Sequence, residues 1–206
     1  MAENEFETYV CRRFHEERYP VELVKLPEGR TSTADYEVLS RGKRVGVLEV
    51  KGLEMTPRTL ANGWQLVDLP NGLQQATRRD NGPARVIARI HDAAKQLSQY
   101  TQPKILVLVN DELLLDVQDL EEAYCGFLDY GSDDTGGYRN TRFKVLSEER
   151  IGTQKYAIDL YFWLDRLKGV ISGRPSDARP FIRFGSPAGF QLATKFFGAA
   201  EAGYRA

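Results

Sequence analysis

Cysteine and histidine are nearly absent, at two each in 206 residues. Cys11 and Cys125 are too few for a disulfide scaffold. His15 and His91 stand apart from any Cys or His partner at zinc spacing, which excludes a structural zinc cluster. The shortage of cysteine points to a reducing compartment, and a cytoplasmic location is expected. Long apolar runs are missing as well. Stretches such as Ile105–Val109 are far too short to cross a bilayer, so no membrane partner is expected. Met1–Glu7 holds three glutamates and no apolar core, which predicts no secretory signal. Net charge is lacking too: 28 Lys and Arg stand against 29 Asp and Glu. Any phosphate-binding surface must therefore be a local basic patch. There is no P-loop, dinucleotide fingerprint or nucleophile elbow, and no internal repeat or low-complexity tract.

What is present is ordinary globular composition, 42% hydrophobic and 28% charged. The length predicts a single domain over 1–206, with residues 1–110 as its core and 111–206 as a C-terminal elaboration of it. Phe6, Val10 and Phe14 recur every fourth position and predict a helix from Glu3 to Arg18, stopped by Pro20. Val21–Leu26 alternates as a half-buried strand. Asp35–Leu39 and Arg44–Val50 read as two strands around the turn Ser40-Arg41-Gly42-Lys43. Thr56–Gly82 lacks clean periodicity and reads as a long loop with at most one short helix. Ala84–Tyr100 reads as a helix entered through Gly82-Pro83, and Lys104–Val109 as a β-branched strand. Beyond these come a helix near Val117–Tyr124, a flexible Gly131–Gly137 loop, and strands near Thr141–Leu146 and Tyr156–Leu164. Gly169–Arg183 is rich in Gly, Pro, Ser and Arg, and a closing helix is expected within Ser186–Ala206. The fold class is α/β, a mixed central sheet flanked by helices.

The chemistry concentrates in Asp35-Tyr36-Glu37-Val38 and, after the hairpin, Val47-Leu48-Glu49-Val50-Lys51-Gly52. Alternation along a strand puts Glu49 and Lys51 on one face, about 7 Å apart at Cα. A carboxylate there can hold a hard divalent cation, and the ammonium can touch a phosphate or an attacking water. Asp35 arrives from the preceding strand as a second carboxylate. Magnesium needs only one or two carboxylates and keeps several waters. An E-x-K triplet alone is a weak signal, because strand ends often carry solvated charge pairs. The arrangement of acid, hairpin and E-x-K behind an amphipathic helix is more specific.

That arrangement resembles the PD-(D/E)XK nuclease superfamily, whose core runs helix, three strands, helix, strand. The resemblance covers the first half of the chain. Asp35 matches the family's first acid, Glu49 the second, Lys51 the lysine, and Gly52 a glycine that often follows. Ala34 replaces the family's leading proline, a position that supplies no ligand. The resemblance implies a restriction-endonuclease-like αβββαβ fold and a Mg2+- or Mn2+-dependent nuclease acting on DNA. Asp35 and Glu49 would bind the ion, and Lys51 would orient the nucleophile. Glu7 on the first helix would serve as a third metal-side acid, with Glu3 as the fallback; both also suit a helix N-terminus.

By helical angle Val86, Ile90, Ala93 and Leu97 form the core stripe of Ala84–Tyr100. Arg85, Arg89, Gln96 and Tyr100 fall on one flank, as a cleft wall facing phosphates would. Gln96 and Tyr100 match a Q-x-x-x-Y motif in a branch that resembles the nuclease domains of recombination helicase–nucleases, where the pair supports the metal site. Arg78 and Arg79, and more weakly Arg139, Arg142 and Lys144, are further nucleic-acid candidates. Trp64 and Cys125 read as core residues. A homodimer stays open. The competing readings are an RNA-cleaving nuclease and a non-catalytic nucleic-acid- or protein-binding module that kept the fold.

Overall fold

The structure is a computed structural model, and it describes residues 5–16, 19–27, 33–54, 64–68, 74–78, 82–112, 115–125, 127–130, 141–144, 156–166 and 181–197. In chain order the elements are α1 (Glu5–Glu16), β1 (Glu22–Lys25), β2 (Tyr36–Ser40), β3 (Lys43–Glu54), β4 (Trp64–Asp68), β5 (Gln74–Arg78), α2 (Gly82–Leu97) and β6 (Lys104–Asp111). Then come α3 (Val117–Cys125), β7 (Phe127–Tyr130), β8 (Thr141–Lys144), β9 (Leu160–Asp165), β10 (Phe181–Phe184) and α4 (Pro187–Phe197). Among the described residues no helix is long and apolar enough to cross a membrane.

Six strands form one mixed sheet in the order β1-β2-β3-β6-β9-β10. The pairs β1/β2, β2/β3 and β9/β10 are antiparallel, whereas β3/β6 and β6/β9 are parallel. Strands covered on both faces should be apolar throughout. Accordingly Ile105–Val109 and Leu160–Leu164 are buried without a break. Alternation divides the core into two layers. Leu48, Val50, Ile105, Val107, Val109, Leu160, Phe162 and Leu164 pack against α1 and α4. Val47, Leu53, Leu106, Leu108, Tyr161 and Trp163 pack against α2 and α3. Glu49 and Lys51 share the parity of Val47 and Leu53, so they face α2.

Several elements differ from the sequence expectation. β3 runs on to Glu54 because its parallel pairing with β6 continues through Glu54↔Asp111. The segment read as a long loop contains β4 and β5, paired antiparallel from Trp64↔Arg78 to Asp68↔Gln74. Asn71-Gly72 in the sequence between them is a local turn signal that the poor periodicity of its flanks obscures. β10 forms inside the Gly- and Pro-rich stretch, where Phe181–Phe184 finds a ready edge on β9. β7 was not expected; it pairs with β8, the strand expected near Thr141. β9 starts at Leu160 rather than Tyr156. The expected Gly131–Gly137 loop lies outside the described residues.

Gly52 is needed for the docking of α1. A Cβ there would stand 2.2 Å from the Phe6 ring. Overpacking of this kind costs about 1–3 kcal/mol. Gly52→Ala should lower the urea midpoint accordingly. Combining it with Phe6→Leu should cost less than the sum of the two single changes, because the shorter side chain removes the clash. Simple additivity would mean that the ring does not set the requirement for glycine.

Candidate active site

The β2–β3 hairpin turns through Arg41 and Gly42, both at positive φ (53° and 72°), as the two-residue turns that match strand twist require. The ladder then runs from Ser40↔Lys43 to Tyr36↔Leu48, with a register shift between Val38 and Leu39. One step beyond Tyr36↔Leu48, Asp35 lies opposite Glu49. The chain is pinned there on both sides: the Asp35 amide donates to Leu48 O (3.1 Å), and its carbonyl accepts from the Leu26 amide (2.9 Å). The Asp35 carboxylate takes the next ladder donor, the Val50 N–H, at 2.7 Å.

Two carboxylates therefore face each other where β2 begins, and burial makes this costly. Glu49 is 1% exposed, and its Oε2 is buried with no protein partner. Desolvation, then the charge of Asp35, push its carboxyl up to about 7, although Lys51 and Gln96 pull the other way. Burial also raises Asp35, against the Val50 hydrogen bond; Glu7 adds to the rise, while Lys25 and Lys51 oppose it. Lys51 supplies local compensation, with Nζ 2.7 Å from Glu49 Oε1.

Helix α2 holds this cluster from above. Gln96 Oε1 accepts a hydrogen bond from Lys51 Nζ. Tyr100, just past the helix end, accepts from the Ala34 amide through its hydroxyl (3.1 Å), fixing the residue before Asp35. The flank read from the helical angle thus brings Gln96 and Tyr100 onto the two motif segments. Arg89 on the same flank is exposed.

Other expected residues are placed differently. Glu7 is buried on α1, and its Oε2 accepts from Lys25 Nζ and from Tyr36 Oη (3.2 Å). Among the described residues no three Asp, Glu, His or Cys side chains are grouped so as to hold an ion. The fallback, Glu3, lies outside the described residues. Arg85 does not line an open wall: its guanidinium pairs with the fully buried Glu112 carboxylate. That carboxylate follows a buried turn in which Asn110 Nδ2 donates to Glu112 O (3.0 Å) and Leu115 O (2.8 Å). Arg78 closes β5 and Arg142 and Lys144 lie on β8, whereas Arg79 and Arg139 fall outside the described residues. His15 is exposed and His91 half-buried. Trp64 opens β4 and Cys125 closes α3.

Sequence reasoning missed Lys25. The only available signal was its place on the strand before Asp35, since its partners Glu7 and Tyr36 come from α1 and β2.

Asp35 and Glu49 form an oxygen donor pair with one orphaned buried oxygen, and both are destabilised as bare anions. Such a pair suits a hard divalent cation that keeps most of its waters. Comparison with protein-family models, curated proteins and solved structures found no match to this chain.

The site predicts an unusual pH dependence for the cation-free protein. Unfolded, Glu49 titrates near about 4.3. Folded, it titrates at about 7. The folded state therefore holds the proton more tightly, and this contribution to stability is complete below the unfolded value and lost as pH rises through 7. Glu49→Gln removes it. The stability of wild type relative to Glu49→Gln should fall by about 3 kcal/mol between pH 4.5 and pH 8. Urea midpoints in chelator at both pH values measure it. A constant difference across that range would contradict the buried-anion account.

Proposed function

We propose that this chain is a divalent-cation-dependent nuclease that hydrolyses phosphodiester bonds in DNA, with a restriction-endonuclease-like core. The observation that carries the reading is the Asp35–Glu49 pair with its orphaned Oε2 beside the Lys51 ammonium, all on the α2 side of the sheet. It is supported by the element order, in which α1, the β1-β2-β3 meander, α2 and the parallel strand β6 follow the order that the PD-(D/E)XK resemblance implies, with β4 and β5 inserted. The free thiol of Cys11 fits a reducing, cytoplasmic setting.

Asp35 and Glu49 would hold Mg2+ or Mn2+. When bound, the ion supplies a Lewis acid for the phosphate and an acidified water as nucleophile. The chain's own residues do the rest. The Val50 amide and the Tyr100–Ala34 bond keep Asp35 facing Glu49. Gln96 and Glu49 fix the Lys51 ammonium as a compact point charge. There it stabilises negative charge as it builds on the phosphate. Arg89, exposed along α2, would meet the DNA backbone. Arg85, bound to Glu112, is left to tie α2 to the end of β6.

Purified protein should cleave duplex, single-stranded or branched DNA in Mg2+ or Mn2+ and not in chelator. Lys51→Ala should lower the cleavage rate at least about 100-fold while the fold and cation binding persist, the signature of a group acting mainly in the transition state. Lys51→Arg should restore little, because a planar fork cannot replace a point charge in that space. Cleavage of RNA alone would reassign the substrate. No cleavage of any strand would make the chain a non-catalytic binding module.

A further inference from the structure

Lys25 and Glu7 lie beside the strand segment that carries Asp35. Lys25 ends β1 opposite Tyr36, and its neighbour Leu26 is bonded through its amide to Asp35 O (2.9 Å). Its Nζ meets Glu7 Oε2, and it also stands 5.0 Å from the centroid of the Tyr36 ring. Tyr36 Oη donates to the same Glu7 oxygen at 3.2 Å. A long flexible side chain is thus fixed by an ion pair and an aromatic face. Holding it so costs much of its rotamer entropy.

That ordering does not bury the charge. The Lys25 side chain is 43% exposed, whereas that of Glu7 is 9% exposed. Compensating the buried Glu7 carboxylate is one reason for this arrangement, and it leaves much of the Lys25 side chain open to solvent. Position offers a second. Tyr36 belongs to the α1 layer of the core, while Lys51 faces α2. Lys51 Nζ reaches Glu49 on the α2 side, and Lys25 stands opposite Tyr36, the residue after Asp35, with its Nζ over the Tyr36 ring on the α1 side. The acid pair is therefore flanked by one cation from each face of the sheet.

We propose that Lys25 is a second phosphate-contacting cation of this site, and that Glu7 is the positioning residue that holds it there rather than a third cation ligand. The proposal rests on the nuclease reading above for what the strand is. Lys51 then serves the phosphate under attack, and Lys25 holds a neighbouring phosphate of the same strand. The ligand is a phosphodiester backbone, of DNA or of RNA.

Four proteins test it: wild type, Lys25→Met, Lys25→Arg and Glu7→Gln, each checked for an unchanged melting profile. The measurements are Mn2+ affinity by calorimetry, the salt dependence of binding to single-stranded DNA and RNA oligonucleotides in chelator, and steady-state cleavage. Lys25→Met should flatten the log–log salt slope by about 0.7, the loss of one phosphate contact on a single strand. It should also raise KM at least fivefold with kcat within about threefold, and Lys25→Arg should recover most of the slope. Glu7→Gln should raise KM as well, and leave Mn2+ affinity within twofold of wild type. A Glu7→Gln protein that binds Mn2+ tenfold more weakly would make Glu7 a ligand and overturn its positioning role. An unchanged slope in Lys25→Met would remove the phosphate contact, as would a wild type that binds no strand in chelator. If wild type binds strands with the predicted slope but neither takes up Mn2+ nor cuts, the nuclease reading fails while the Lys25 contact stands.

Discussion

A carboxylate placed inside the sheet, opposite a second one, sets the terms for everything around it. Glu49 occupies an inward position of β3 between Val47 and Leu53, where an apolar residue would stabilise the fold more. Burial and the facing Asp35 both oppose its ionisation. Like charges in low dielectric are tolerated only when other groups compensate, and here each compensating group is specific. Lys51 meets one Glu49 oxygen, Gln96 holds Lys51, and the Val50 amide holds Asp35. The remaining Glu49 oxygen has no protein partner. On the proposed reading, a bound cation would supply the partner that this oxygen lacks.

Several other charged groups hold elements together. Arg166 joins the end of β9 to α1 and β6, pairing with Glu5 and, at 2.8 Å, with Asp111. Arg85 ties α2 to Glu112, and Arg183 ties β10 to Glu121 of α3 at 2.5 Å. These pairs lie at the rim of the two core layers and orient helices already held by apolar contact. Lys51, Lys25 and Arg89 differ in gathering toward the acid pair or lying open on the α2 flank. With a net charge of only −1, such local grouping is what any attraction of phosphates must rest on.

Features governed by period or by neighbours in sequence were legible; those governed by long-range meeting were not. The two-residue alternation of Val47 to Lys51 puts Glu49 and Lys51 on one face, and the hairpin at Arg41-Gly42 brings Asp35 to them. The helical angle put Gln96 and Tyr100 on the correct flank of α2. The same angle placed Arg85 there but could not reveal Glu112, 27 residues on and buried. Glu7 was read as a third metal-side acid, and the bond it makes to the lysine 18 residues later, on β1 beside β2, was not legible. The β4–β5 pair was lost for another reason: its strands are short and mixed in polarity, and the Asn71-Gly72 turn signal was outweighed by poor periodicity.

The central claim is that Asp35 and Glu49 jointly hold one divalent cation. A crystal soaked in Mn2+ and measured at the manganese edge tests it most directly. The account predicts one anomalous peak within about 2.0–2.4 Å of an oxygen from each carboxylate, the remaining positions being water, and Glu7 still bonded to Lys25. No peak between the two carboxylates, or a peak coordinated by Glu7 in place of either one, would contradict it.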